Sequence, residues 1–439
     1  MEKYPNSVGV LVPSVMLPPE GSDFSKWAVV ACDQFTSQPE YWQEARAYIG
    51  SAPSTLDLFL PEAYLGKPDE ADRIKAIRAN MDRYLAEGLL EEKPQGFVLV
   101  KRTAGGKTRL GLVMALDLEQ YDFHKGSSTL IRATEGTIES RIPPRLRIRE
   151  GAKLELPHIL VLIDDPDRTV IEPVAGKAAD LPLLYDCDLM LGGGHIEGRL
   201  VSGDADIRGV LSALEGLKDE EAFHKKYPGK APLVFAMGDG NHSFATAKAN
   251  WEKIKATLPE AERATHPARW ALVEVENVHD DGIVFEPIHR VVFGVDSDKV
   301  VGQLAAHLAA QNGGLEVHTA DEEYTVPAGS HVIPFYTASG NGTFVVTGPA
   351  AQLAVGTLQN AIDALLKEVP GSEVDYIHGA GVVKNLAAKD GTIGFLLPAM
   401  QKSELFPTVV YDGALPRKTF SMGEAAEKRY YIECRRIDK

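Results

Sequence analysis

Pro232-Leu233-Val234-Phe235-Ala236-Met237-Gly238-Asp239-Gly240-Asn241-His242-Ser243-Phe244-Ala245-Thr246-Ala247 is the stretch whose reading decides the fold. The apolar run 232–237 predicts a buried strand. Gly238 and Gly240 break the run. Phe244, Ala247, Trp251, Ile254 and Leu258 then recur at three- and four-residue spacing, which predicts a helix from Ser243 to Leu258. A strand that turns through a glycine corner into a helix is a unit of α/β construction.

Outward from this corner, strands and helices alternate. Strands are expected at 9–13, 27–32, 97–100, 110–116, 158–163, 270–275, 331–336, 343–347 and 392–397. Helices are expected at 69–92, 204–217, 297–312 and 351–367. The class is therefore α/β or mixed α+β, with a division into residues 1–295 and a smaller 296–439. Gly105-Gly106-Lys107-Thr108 tempts a P-loop reading, but Lys101 stands where its first glycine belongs and a strand follows where a helix is required. A hairpin turn is the better reading.

The 439 residues are 44% hydrophobic and 25% charged, too apolar for disorder. No uncharged apolar run approaches the ~18 residues that span a bilayer. The net charge of −16 disfavours general binding to nucleic acid or anionic membrane. Cys32, Cys187 and Cys434 are scattered, which leaves neither a disulfide framework nor a paired-cysteine zinc site. The N-terminus lacks a basic segment followed by an apolar one, so the cytoplasm is the expected compartment. The partners expected are a small anionic metabolite or a nucleotide, with no nucleic acid and no membrane, and a homodimer is left open.

The corner itself carries the strongest chemical signal. The first N–H groups of a helix have no intrahelical acceptor and the helix dipole is positive there, which suits an anion. Gly238 and Gly240 allow close approach, and Asp239, Asn241 and His242 add a carboxylate, an amide and an imidazole. These types can hold Mg²⁺, orient a hydroxyl or move a proton. The bland alternative is an ordinary strand–helix turn with Asp239 or Asn241 as cap.

Three other segments suit an anion. Arg141, Arg145, Arg147, Arg149 and Lys153 make a basic island in an acidic chain, which reads equally as a loop or strand paired with acids elsewhere. Pro287-Ile288-His289-Arg290 and the turn Gly413-Ala414-Leu415-Pro416-Arg417-Lys418-Thr419 complete the set. Gly192-Gly193-Gly194-His195 lacks a following helix, and Cys32 reads as a buried cysteine at a strand end. His195-Ile196-Glu197 lacks the Pro-Cys-x-x-Cys partner of a zinc deaminase. Neither Gly-x-Ser-x-Gly nor His-Glu-x-x-His occurs.

These elements, in this order, resemble the bacterial and archaeal family called domain of unknown function 1015. Its Asp-Gly-His-His-Arg-Tyr element is similar to Asp239-Gly240-Asn241-His242-Ser243-Phe244, followed by Thr246-Ala247. Its Arg-His-Glu-x-Thr element resembles Arg132-Ala133-Thr134-Glu135-Gly136-Thr137, with the arginine-bearing stretch after it. Its Pro-x-His-Arg and Gly-x-x-(Met/Leu)-Pro-x-Lys-(Ser/Thr) elements resemble 287–290 and 413–419. The corner also resembles the phosphate-binding signature of the ParB/sulfiredoxin superfamily, which implies a ParB/sulfiredoxin-like α/β core with additional mixed-sheet elements. Asn241 replaces the family's first histidine and Ser243 its arginine. Either an arginine of the 141–149 island substitutes, or this branch has changed ligand.

The resemblance implies a phosphotransferase acting on a small metabolite of the serine or phosphoserine kind, with a nucleotide and Mg²⁺ as cofactors. Asp239 would hold the metal or orient the acceptor, and His242 would shuttle a proton or donate to phosphate. Gly238, Gly240, Asn241, Ser243, Arg132, Glu135, Arg145, Arg147, His289, Arg290, Arg417 and Lys418 would bind substrate or phosphate. The rivals are a non-catalytic nucleotide-binding regulatory module and a phosphoserine phosphatase-like hydrolase.

Overall fold

The fold was analysed in a computed structural model that describes residues 3–423 and 425–438. The chain forms two compact units. Unit 1 is Met1–Val284 with Met422–Lys439, and unit 2 is Phe285–Ser421.

Unit 1 is built on strands β1 (Val10–Leu11), β2 (Phe97–Ala104), β3 (Lys107–Asp117), β4 (Tyr121–Asp122), β5 (Ile131–Arg132), β6 (Leu160–Ile163), β7 (Leu183–Leu189), β8 (Gly194–Val201), β9 (Phe235–Asp239) and β10 (Trp270–Asn277). They form one sheet in the order β7-β8-β2-β3-β10-β6-β9-β5-β4, with β1 paired to β3. The β10–β6, β9–β5 and β5–β4 pairs are parallel and the other pairs antiparallel, so the sheet is mixed. Side chains alternate across it. Leu99, Leu112, Met114, Val273 and Val275 enter one core, and Val98, Val100, Val113, Ala115 and Leu272 enter the other. With both faces covered, the central strands read as continuous apolar runs rather than as polar–apolar alternation.

The helices that matter to the site are α1 (Glu70–Ala86), α2 (Ile142–Arg149), α3 (Asp204–Leu217) and α4 (Asn241–Thr257). Arg145, Arg147 and Arg149 of the basic island lie on helix α2 rather than on a loop or strand, with Arg141 just before it and Lys153 beyond it. Pro143 and Pro144 sit in its first turn, where a missing N–H costs nothing. The strand expected over 27–32 is also shorter. Asp23 caps a helical turn over Phe24–Trp27, and only Val29–Val30 pair as a strand.

The division expected after residue 295 differs from the observed units in two respects. Unit 2 begins at Phe285, and the last residues return to unit 1. Tyr430–Tyr431 pair with Val29–Val30, and Arg435–Arg436 pair with Leu154–Glu155. These ladders satisfy backbone groups at both ends of the chain, and no change of composition announces them.

Unit 2 has strands β11 (His289–Phe293), β12 (Gly314–Thr319), β13 (His331–Thr337), β14 (Gly340–Thr347), β15 (Glu373–Ile377) and β16 (Thr392–Phe395). They form an antiparallel sheet in the order β12-β14-β13-β16-β11-β15. Helices α5 (Val300–Gln311), α6 (Ala354–Glu368), α7 (Ala380–Ala387) and α8 (Lys402–Asp412) belong to this unit. The protein is thus mixed α/β. Among the described residues no helix is long and apolar enough to cross a membrane.

Candidate functional site

Strand β9 ends at Asp239 and helix α4 begins at Asn241, with Gly240 as the only hinge between them. Gly240 has φ 81°, and a Cβ there would lie 3.2 Å from the Ile159 Cα, so the corner requires glycine. Gly238 is a packing glycine, because a Cβ would meet the Met422 sulfur at 2.9 Å. No side chain at Gly240 caps the helix, and the first bond of the ladder runs from Phe244 N–H to the Gly240 carbonyl.

Asp239 is not the cap. One of its oxygens accepts from the Gly240 N–H at 2.9 Å, and the other lies 3.0 Å from the Lys428 ammonium. Burial works against the carboxylate, but Lys428 and the Gly240 amide outweigh it and hold Asp239 below the ordinary range. Lys428 reaches the corner because the C-terminal segment returns to unit 1.

The 132–138 segment lies against the same corner. Thr134 N–H donates to Asn241 Oδ1 at 3.2 Å, and the Thr134 hydroxyl donates to the Met237 carbonyl at 2.7 Å. Ile138 N–H donates to His242 Nε2 at 3.2 Å, so that nitrogen is an acceptor and unprotonated. Arg132 is buried, with its guanidinium on the carbonyls of Thr129, Ala231 and Pro232, and burial lowers its pKa to about 10. Glu135 is half-buried in the same segment.

Beside α4 opens a solvent-accessible cleft of about 140 Å³. Ser243, Thr246 and His158 line it, as do Leu58, Phe59 and Met81. Arg145 and Arg149 also border it, each held by a carboxylate. Arg145 forks onto Glu62 at 2.7 and 2.8 Å, and Arg149 pairs with Glu155 at 2.5 Å. Arg147 pairs with Glu70 at 2.9 Å. The three helix arginines are therefore neutralised, Arg145 and Arg147 by acids distant in sequence and Arg149 by the nearby Glu155.

Sequence reasoning missed the groups with which Ser243 is engaged. Its hydroxyl lies 2.9 Å from His158 Nε2, and His158 Nδ1 lies 2.7 Å from the Tyr431 hydroxyl. His158 sits at the head of an apolar run, where a histidine reads as core.

The other predicted residues lie in unit 2, and there the structure joins two distant motifs. Arg290 is fully buried and donates to the carbonyls of Ile288, Arg417 and Lys418 at 2.6, 2.7 and 2.9 Å. It thus holds the turn in which Lys418 adopts φ 56°. His289 accepts from Leu397 N–H at 3.1 Å, and burial, then Arg290, lowers its pKa. Arg417 lies 3.5 Å from the Tyr376 hydroxyl.

A single carboxylate bonded to an ammonium does not make a resident Mg²⁺ site, which needs several oxygens in octahedral array. Among the described residues no group of three or more His, Cys, Asp or Glu gathers to hold a metal.

The profile of one family, described as "Protein of unknown function (DUF1015)", matches residues 16–365. The chain belongs to this family. The match spans the DUF1015 corner, the island and the 287–290 element, whereas 413–419 lie beyond it. No curated protein matches the chain. Among solved structures, a conserved hypothetical protein from Pyrococcus furiosus is similar at 12% identity and TM-score 0.34, covering 74% of this chain and 95% of its own. A free serine kinase in complex with AMP gives 13% and 0.36, covering 74% and 91%. SbnI with a C-terminal truncation, from Staphylococcus aureus, gives 10% and 0.35, covering 73% and 82%. Likenesses at such scores do not decide the fold or activity of this DUF1015 chain.

Proposed function

We propose that unit 1 binds the phosphate of a nucleotide or phosphorylated metabolite at the start of α4 and transfers a phosphoryl group to a small hydroxyl acceptor of the serine kind. The observation that carries this reading is the N-terminus of a 17-residue helix left without a side-chain cap, next to an open cleft. Its dipole and first-turn N–H groups supply the partial positive charge that phosphate needs.

Lys428 adds a full charge beside Asp239, and Asp239 stays ionised to orient the acceptor. Asn241, tied to Thr134, fixes the first turn, and His242 braces the 132–138 segment. A phosphate reaching Arg145 would compete with Glu62 for the guanidinium fork. Phosphoryl transfer asks mainly for positioning and charge compensation, which these groups provide. The similarity of 239–244 to the ParB/sulfiredoxin phosphate signature supports the same reading. A divalent ion would arrive with the nucleotide and supply charge neutralisation; no step is assigned to it.

The pairing of Arg145, Arg147 and Arg149 with carboxylates favours a second reading, a nucleotide-sensing module that binds without turnover. One experiment separates the two. The protein is incubated with serine, phosphoserine and a nucleotide panel, with and without Mg²⁺, alongside Asp239→Ala and His242→Ala. Transfer in wild type, lost in both variants while each remains folded, supports the first reading. Binding without transfer supports the second, and a collapse of stability in both variants reduces the corner to a structural turn.

A further inference from the structure

Ser243, His158 and Tyr431 form a continuous hydrogen-bonded line along the wall of the cleft. Ser243 Oγ is 2.9 Å from His158 Nε2, within the distance at which a base takes a proton. His158 is buried, and its Nδ1 is 2.7 Å from the buried Tyr431 hydroxyl. A serine bonded to an imidazole whose other nitrogen is oriented by a third group has the layout of an activated nucleophile. Two more features separate it from an ordinary buried hydrogen bond. Ser243 lies in the first turn of α4, where the dipole favours a developing anion, and both Ser243 and His158 border the open cleft.

The polarity of the line also works. Tyr431 accepts from the Cys32 N–H at 3.3 Å. In the tautomer that carries its proton on Nδ1, His158 donates to the Tyr431 oxygen and leaves Nε2 to accept from Ser243. Burial raises both the Tyr431 phenol and the Cys32 thiol well above their ordinary values, so both remain protonated at neutral pH.

We propose that Ser243 is a nucleophile that carries the phosphoryl group as a covalent phosphoserine, with His158 as its base and Tyr431 as a positioning residue. The inference rests on the phosphotransferase reading for its donor, a nucleoside triphosphate. In the first step Ser243 Oγ bonds the terminal phosphorus as the bond to the nucleoside diphosphate oxygen breaks. The serine proton moves to His158 Nε2 and is released as the diphosphate leaves. In the second step the acceptor hydroxyl gives its proton to His158 and bonds the phosphorus. The Oγ–P bond breaks, and His158 returns a proton to Ser243. The apolar part of the cleft around Phe59 and Met81 suits the face of a base rather than a second phosphate.

The test uses the full chain and two probes: ATP labelled in its terminal phosphate, and a reactive fluorophosphonate. After an acid quench, mass mapping should find the phosphoryl group or the phosphonate on Ser243. His158→Asn should slow labelling on the order of a hundredfold, and Ser243→Ala should abolish it. Tyr431→Phe should displace the pH profile of labelling, which a merely structural role would leave in place. If ATP raises the melting temperature but neither probe marks Ser243, the nucleophile falls and the phosphate reading stands. If the fluorophosphonate marks Ser243 while ATP neither binds nor labels, the nucleophile stands and the nucleotide reading falls. Wild-type mapping alone is decisive should His158→Asn fold poorly.

Discussion

The Asp239–Lys428 pair should couple the C-terminal segment to the strand–helix corner, and the strength of that coupling follows from its geometry. The charges lie 3.0 Å apart, with side-chain exposures of 29% and 13%. At an effective dielectric constant of about 20, their attraction is about 5 kcal/mol before desolvation is counted. Partial burial costs both ions hydration, and partial exposure screens them, so a net coupling of about 1–2 kcal/mol is expected. Asp239→Asn, Lys428→Met and the double variant form a cycle that isolates this energy from the two single losses. Denaturant unfolding followed by tryptophan fluorescence reads it cleanly, because Trp27, Trp42, Trp251 and Trp270 all lie in unit 1. The pH dependence has a definite sign. The Asp239 pKa is held below that of the unfolded chain, so its contribution is present above the ordinary carboxylate range of about 4 and is lost as pH falls through the folded value. A coupling of zero at neutral pH, or one unchanged in acid, would refute this description of the corner.

Four further outcomes follow from single positions. Gly240→Ala should lower the stability of unit 1 by at least ~1–2 kcal/mol for the left-handed backbone alone. Gly209→Ala, in α3 with open space around it, should raise stability by about 0.5–1 kcal/mol, and the pair of melting temperatures tests both. Arg132→Lys should cost about 3 kcal/mol in denaturant titration, since a compact ammonium cannot span carbonyls that the guanidinium reaches from two separate nitrogens. Burial, together with neighbouring Glu274, raises the pKa of Glu276 to about 7 although Arg109 opposes the shift. The proton it retains on folding gives stability that is full below the ordinary carboxylate range and is lost as pH rises towards 7, and Glu276→Gln should flatten that part of the stability–pH curve.

What could be read from the chain was local. The strand–corner–helix unit was legible because glycine punctuation and three-to-four-residue apolar spacing are local signals, and they place β9 and α4 to within a few residues. The β2–β3 hairpin was legible for the same reason. The partners of the site were not. Lys428 meets Asp239, and Tyr431 meets His158, only because the C-terminal strands return to unit 1. The basic island looked like an anion site because Glu62 and Glu70, which neutralise Arg145 and Arg147, are remote in sequence, and Glu155, though near Arg149, lies on the strand beyond the helix. Arg290 looked like a ligand-reaching charge, whereas it clamps the 417–418 turn through backbone carbonyls, which have no sequence signature.

The central claim is that an anion docks at the first turn of α4, and diffraction from crystals soaked with ATP tests it most directly. The account predicts phosphate oxygens about 3 Å from main-chain N–H groups of residues 241–243. An ATP molecule seated elsewhere with this turn vacant, or no bound nucleotide at saturating concentration, would contradict it.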